Sequence, residues 1–154
     1  MATGLPTARL ASRSAAASTL QWLGGTEPTQ RALGGLVPVN GGHWINYVES
    51  VNGKLVLKLA KVPDAGGSLT ASTTITAATN IDATYPFRPY LAAYGSGQLL
   101  MGWKSAGKLV LAVADANTGA VLEGPVITAL PIDQFQDMTS SPSGDVVWAY
   151  SPGG

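Results

Sequence analysis

The chain has no cysteine and a single histidine, His43. Without cysteine there is no disulfide framework, no thiol nucleophile and no thiolate-held metal. One histidine excludes every multi-histidine metal site. Charge is scarce: only 12% of the 154 residues are Asp, Glu, Lys or Arg, nine basic and nine acidic, for a formal net charge of zero. Binding through phosphates needs a basic excess, so a nucleic-acid partner is not expected. No apolar run approaches the roughly 20 residues of a membrane helix, so no membrane span is expected.

Glycine and proline are abundant instead, 19 and 10 of 154 residues. The hydrophobic fraction of 45% is enough to build a core, so general disorder is not expected. Before the first acidic residue, Glu27, come Arg9, Arg13 and a Ser/Ala-rich stretch from Ala11 to Thr19. Such a start has weak transit-peptide character. It lacks the apolar segment of a secretory signal.

The most informative feature is an internal repeat. Gly53-Lys54-Leu55-Val56-Leu57 recurs unchanged as Gly107-Lys108-Leu109-Val110-Leu111. Upstream, Gly41-Gly42-His43-Trp44-Ile45-Asn46-Tyr47 aligns with Gly97-Gln98-Leu99-Leu100-Met101-Gly102-Trp103. A third copy reads Gly144-Asp145-Val146-Val147-Trp148-Ala149-Tyr150. In each, a glycine stands six residues before an aromatic: Tyr47, Trp103 or Tyr150.

Each repeat reads as short strands. Leu55, Leu57 and Leu59 fall on one face of a period-two segment, as do Leu109, Leu111 and Val113. Apolar residues on both faces indicate strands covered above and below. Both strands run into turn residues, Pro63-Asp64-Ala65-Gly66-Gly67 and Asp115-Ala116-Asn117-Thr118-Gly119. A further strand is expected over Ser68–Thr76 and over Ala120–Thr128, with the prolines at 86, 89, 125 and 131 between strands.

The fold class is therefore all-β, with blades of four antiparallel strands over about 50 residues. At Gly97 to Trp103, Gly107 to Asp115, and Thr118-Gly119 to Gly124-Pro125, the chain resembles bacterial β-propeller repeats. The resemblance implies a β-propeller-like domain over residues 31–154, with about three blade equivalents. Residues 33–76 and 89–128 make two blades, and residues 136–151 supply two strands of a third. Residues 1–30 form an N-terminal arm, whose segments Thr7–Arg13 and Ser18–Leu23 could complete the last blade. Propellers close with about four to eight blades, so the ring is incomplete in one chain. A second copy, a longer parent chain or an open stack of sheets would each account for this.

The candidate contact residues are few. His43 and Trp44 stand beside a glycine pair at a strand start, where a ligand contact or a strand-end role are alternatives. Tyr85-Pro86-Phe87-Arg88-Pro89-Tyr90 joins one blade to the next and concentrates aromatics with an arginine, the side chains favoured at interfaces. Phe135 holds the corresponding place in the following repeat. Tyr47, Trp103 and Tyr150 suit either repeated pockets or packing between blades. The aspartates fall almost entirely in turn sequences, where they serve as turn formers. No nucleophile motif and no calcium-loop spacing is present, so no catalytic residue, metal or cofactor is assigned.

Three functions follow in order. The first is a non-enzymatic binding or interaction module, with a protein or carbohydrate partner, acting through inter-blade loops as part of a homo-oligomer or larger assembly. The second is a structural virion or tail component of a phage. The third is a fragment of a propeller glycosidase-like enzyme, which would require acids converging in a central channel.

Overall fold

The computed structural model describes residues 10–13, 20–23, 32–64, 71–75, 81, 89–131 and 135–150. The described residues form twelve strands and no helix. Among the described residues, β1 (Leu10–Arg13) and β2 (Leu20–Leu23) pair only with each other. β3 (Ala32–Val39), β4 (Gly42–Val51), β5 (Lys54–Pro63) and β6 (Ala71–Ile75) form a four-stranded antiparallel meander. β7 (Tyr90–Tyr94), β8 (Gln98–Ser105), β9 (Lys108–Asp115) and β10 (Val121–Pro131) form a second. β11 (Phe135–Ser140) and β12 (Val146–Tyr150) form a two-stranded sheet. None of these sheets closes on itself.

The turns explain the repeat at residue level. Gly41, Gly97 and Gly144 all have positive φ, at 75°, 76° and 88°. Each turns the first strand of its sheet into the second, in a region that side chains with a Cβ avoid. The next hairpin turns in two residues, Asn52-Gly53 and Ala106-Gly107, with φ between 49° and 74° at all four. Two successive positive φ values define the turn whose twist suits a hairpin. The turn then holds β4 against β5 in unbroken register from Val51↔Lys54 to Gly42↔Pro63, and β8 against β9 from Ser105↔Lys108 to Gln98↔Asp115.

Side-chain alternation then decides which sheet packs on which. Leu57 and Leu59 point from the first four-stranded sheet into a buried layer shared with Met101, Trp103, Val110 and Ala112 of the second. Leu109 and Val113 leave the opposite face of the second sheet and pack with Met138, Val146 and Trp148 of the β11–β12 sheet. The repeated strand thus presents the same positions to the sheet that follows it in sequence. Leu57, Leu59, Leu109 and Val113 are buried, while Leu55 and Leu111 are only half-buried. Ile45, Tyr47, Ala60 and Val62 form a further buried cluster on the other face of the first sheet.

One expectation is corrected. Pro125 and Pro131 lie within β10 rather than between strands. The β10–β9 ladder shifts register around them, and β10 is an outer strand, where a missing N–H is tolerated. Of the expected strand Ser68–Thr76, Ala71–Ile75 forms β6, and the remaining positions lie outside the described residues.

The first strands of the three consecutive sheets, β3, β7 and β11, lie side by side. A Cβ at Gly35 would run into the carbonyl of Leu91, and one at Gly34 into that of Pro89. The glycine pair lets β3 approach β7 closely. On the other side of β7, Ser140 Oγ donates to Ala93 O at 2.9 Å and Gly95 N to Gly144 O at 2.9 Å. Matched contacts ascend together in sequence, so the three strands run in the same direction.

Candidate binding surface

This common direction sorts the candidate residues by end. The turns after β3, β7 and β11 lie at one end, together with the turns after β5 and β9. His43 and Trp44 are at this end. Tyr90 and Phe135 begin β7 and β11, at the opposite end. The structure therefore does not bring the two sets together. Tyr85, Phe87 and Arg88 lie outside the described residues. Tyr90 is buried in the layer between the second sheet and β11–β12.

His43 stands in β4 opposite Pro38 on one side and Val62 on the other. Its Nδ1 is 3.5 Å from Asp64 Oδ1, and both side chains are substantially exposed. A pair this long and this wet contributes little to stability. Lys61 Nζ donates to Asn40 O at 3.1 Å, on the neighbouring turn. Among the described residues, no group of three His, Cys, Asp or Glu side chains is placed to hold a metal ion.

Trp44 does not face solvent. It is 1% exposed, and its Nε1–H donates to Ala116 O at 2.7 Å. The indole crosses from the first sheet to lie under the turn after β9. A Cβ at Gly119 would stand 2.7 Å from the ring. Trp44 is a packing residue that fastens one sheet to the next, and its hydrogen bond satisfies a carbonyl that the core would otherwise strand.

The turn above it is built by Asp115. Asp115 Oδ1 accepts from Asn117 N at 2.9 Å, Thr118 N at 2.7 Å and Thr118 Oγ1 at 2.9 Å. Gly119 N donates to Asp115 O at 2.8 Å, and Asp115 N to Ala120 O at 2.9 Å. The backbone hydrogen bond from Thr118 and then its hydroxyl hold the Asp115 carboxyl below the usual range, with desolvation opposing them. With its lone pairs committed locally, this carboxylate forms a turn. Asp145 does similar work between β11 and β12, where Ser143 Oγ donates to Asp145 Oδ2 at 2.7 Å.

Trp103, equivalent to Tyr47 in the repeat, is buried between the two four-stranded sheets. Packing, not a repeated pocket, occupies that position. Asn46 is a buried residue that sequence reasoning missed. Its Nδ2–H donates to Tyr90 O at 2.7 Å across the same sheet interface, and its Oδ1 accepts no hydrogen bond among the described residues. No motif marks it; only its fully buried position inside an apolar strand sets it apart.

A groove of about 330 Å³ opens where β3, β7 and β11 meet. Leu36, Val37, Pro38, Ala92, Met138 and Thr139 are among its walls. Leu36, Pro38 and Thr139 are exposed, so the groove reaches solvent. Its volume is at the lower end of the range for small-molecule sites, and its walls are mostly apolar with two hydroxyls, Thr139 and Ser140. Sequence reasoning did not find it, because its walls come from three repeats and carry no motif. No helix among the described residues is long and apolar enough to cross a membrane. Comparison with protein-family models, with curated proteins and with solved structures returns no match to this chain.

Proposed function

We propose that the chain is a non-enzymatic binding module of β-propeller type, recognising a protein or carbohydrate partner where successive blades meet. The order of packing supports the propeller reading. Consecutive sheets stack in chain order, and their first strands run side by side in one direction, as blades do around an axis. The observation that carries the binding reading is the groove between β3, β7 and β11, apolar, open and edged by hydroxyls. Tyr85, Phe87, Arg88 and Phe135 are the further contact residues of this reading.

A glycan array and a peptide-display screen with the whole chain test this. Retention of a ligand is expected, lost in Leu36→Glu or Thr139→Trp without a change in melting temperature, because both side chains are exposed. Retention unaffected by either variant, and also by Arg88→Ala, overturns the placement. Turnover of a glycoside that disappears in an Asp→Ala variant overturns the non-enzymatic reading.

A second reading, a structural subunit of a particle such as a phage virion, is favoured by β10. Val121, Leu122, Val126 and Ile127 are all exposed on this outer strand. Unpaired edges with apolar side chains promote association between chains. Ordered assemblies seen by electron microscopy, and abolished by Ile127→Lys, would support it.

A further inference from the structure

The repeat shows what is missing from the third sheet. In the two complete sheets, β4 and β8 are followed across the sheet by β5–β6 and β9–β10. β12 holds the same place as β4 and β8, yet among the described residues its sheet stops there. The absent part is an antiparallel pair of strands. Besides β11–β12, the described residues contain one antiparallel pair outside the complete sheets, β1–β2, in register from Leu10↔Leu23 to Arg13↔Leu20 and laddered to no other described strand.

Burial makes the same point for the face of this sheet. Trp44, Leu100 and Val147 each stand three residues after the repeated glycine. Trp44 is covered by the second sheet at 1% exposure, and Leu100 by the third at 8%. Val147 is 52% exposed. Ala149, Thr139 and Asp137 on the same face are exposed too. Among the described residues, the third sheet therefore has neither outer strands nor a following sheet.

We propose that the β1–β2 hairpin of a second copy of this chain completes the β11–β12 sheet, the exchange being reciprocal and closing two chains into one ring of six sheets. The proposal rests on the propeller reading above. Chain order decides for exchange between copies. β1–β2 precedes β3 and so enters the stack before the first complete sheet, whereas β11–β12 follows the second. Joining them within one copy of these 154 residues would give a ring of three sheets, below the four to eight that close. Two copies give six, and a two-fold axis uses the same contact twice. The first sheet of the second copy would then cover Val147, as the third sheet covers Leu100.

Mass in solution by light scattering is the first test, and it is independent of any ligand. Two chains of 15.7 kDa each are expected in one particle. Placement is tested in the full chain, which has no native cysteine to interfere. Ala11→Cys and Ala149→Cys proteins are mixed, unfolded and refolded together, and treated with a short bis-maleimide. The expected product is a covalent pair containing one chain of each kind. A single-chain mass overturns the proposal. So does a two-chain particle that yields no mixed covalent pair, or a double-cysteine variant that links only within one chain. These outcomes leave the ligand-binding reading to its own screen, since the groove is formed within one chain.

Discussion

Trp44 Nε1 and the carbonyl of Ala116 are 2.7 Å apart, although 72 residues separate them in the chain. This hydrogen bond joins the first complete sheet to the turn that ends β9 in the second. Trp44→Phe keeps most of the apolar contact but leaves the carbonyl without its donor. It should cost about 1–3 kcal/mol, and Trp44→Ala about 3–5 kcal/mol. Urea denaturation midpoints give both values. A Trp44→Phe variant as stable as the parent would show that the hydrogen bond contributes nothing.

Leu57 and Leu109 lie at the fifth and third positions of the two copies of the repeated pentapeptide, and both are fully buried. Leu57→Ala and Leu109→Ala should each destabilise the protein by about 2–5 kcal/mol. Ile127→Ala, at an exposed position of β10, should change stability by no more than about 0.5 kcal/mol. The contrast is read from chemical denaturation of the three variants side by side.

Ala106 sits at φ 49°, where Asn52 sits at φ 51° in the equivalent turn. Alanine in this region carries a steric cost that asparagine largely avoids. Ala106→Asn should therefore stabilise the chain by about 1 kcal/mol, and Asn52→Ala should destabilise it by a similar amount. Thermal unfolding of both variants checks the pair of signs.

Asp115 has its carboxyl pKa lowered in the fold, first by the backbone hydrogen bond from Thr118. The folded protein thus favours the ionised form. The stabilisation is fully present above the unfolded pKa of about 3.9 and declines as pH falls through the lower folded value. Melting temperature measured from neutral to acid pH should fall less steeply for Asp115→Asn than for the parent in that acid range. Parallel curves would remove Asp115 from the acid response.

Much of the fold was legible because its signals are local. Gly41, Gly97 and Gly144 mark turns that require positive φ, and the hydrophobic alternation around Leu57 and Leu109 marks strands covered on both faces. The prolines misled in part. Pro125 suggests a break in the sequence, but β10 is at the edge of its sheet among the described residues and can carry it.

The candidate surface was much less legible. His43 and Trp44 are neighbours in sequence, yet alternation sends Trp44 between the sheets and leaves His43 partly in solvent. The groove has no motif at all, since Leu36, Ala92 and Thr139 come from three different repeats and carry no distinguishing chemistry.

The sequence by itself determined the all-β class, the repeated hairpins and the limits set by absent cysteine, scarce histidine and balanced charge. These depend on backbone geometry and composition, which act over a few residues or over the whole chain. Only the tertiary structure decided which face of each strand meets which sheet, that Trp44 fastens two sheets together, and that three first strands enclose a groove. Those outcomes depend on how sheets stack, and stacking brings together residues whose relation no local pattern records.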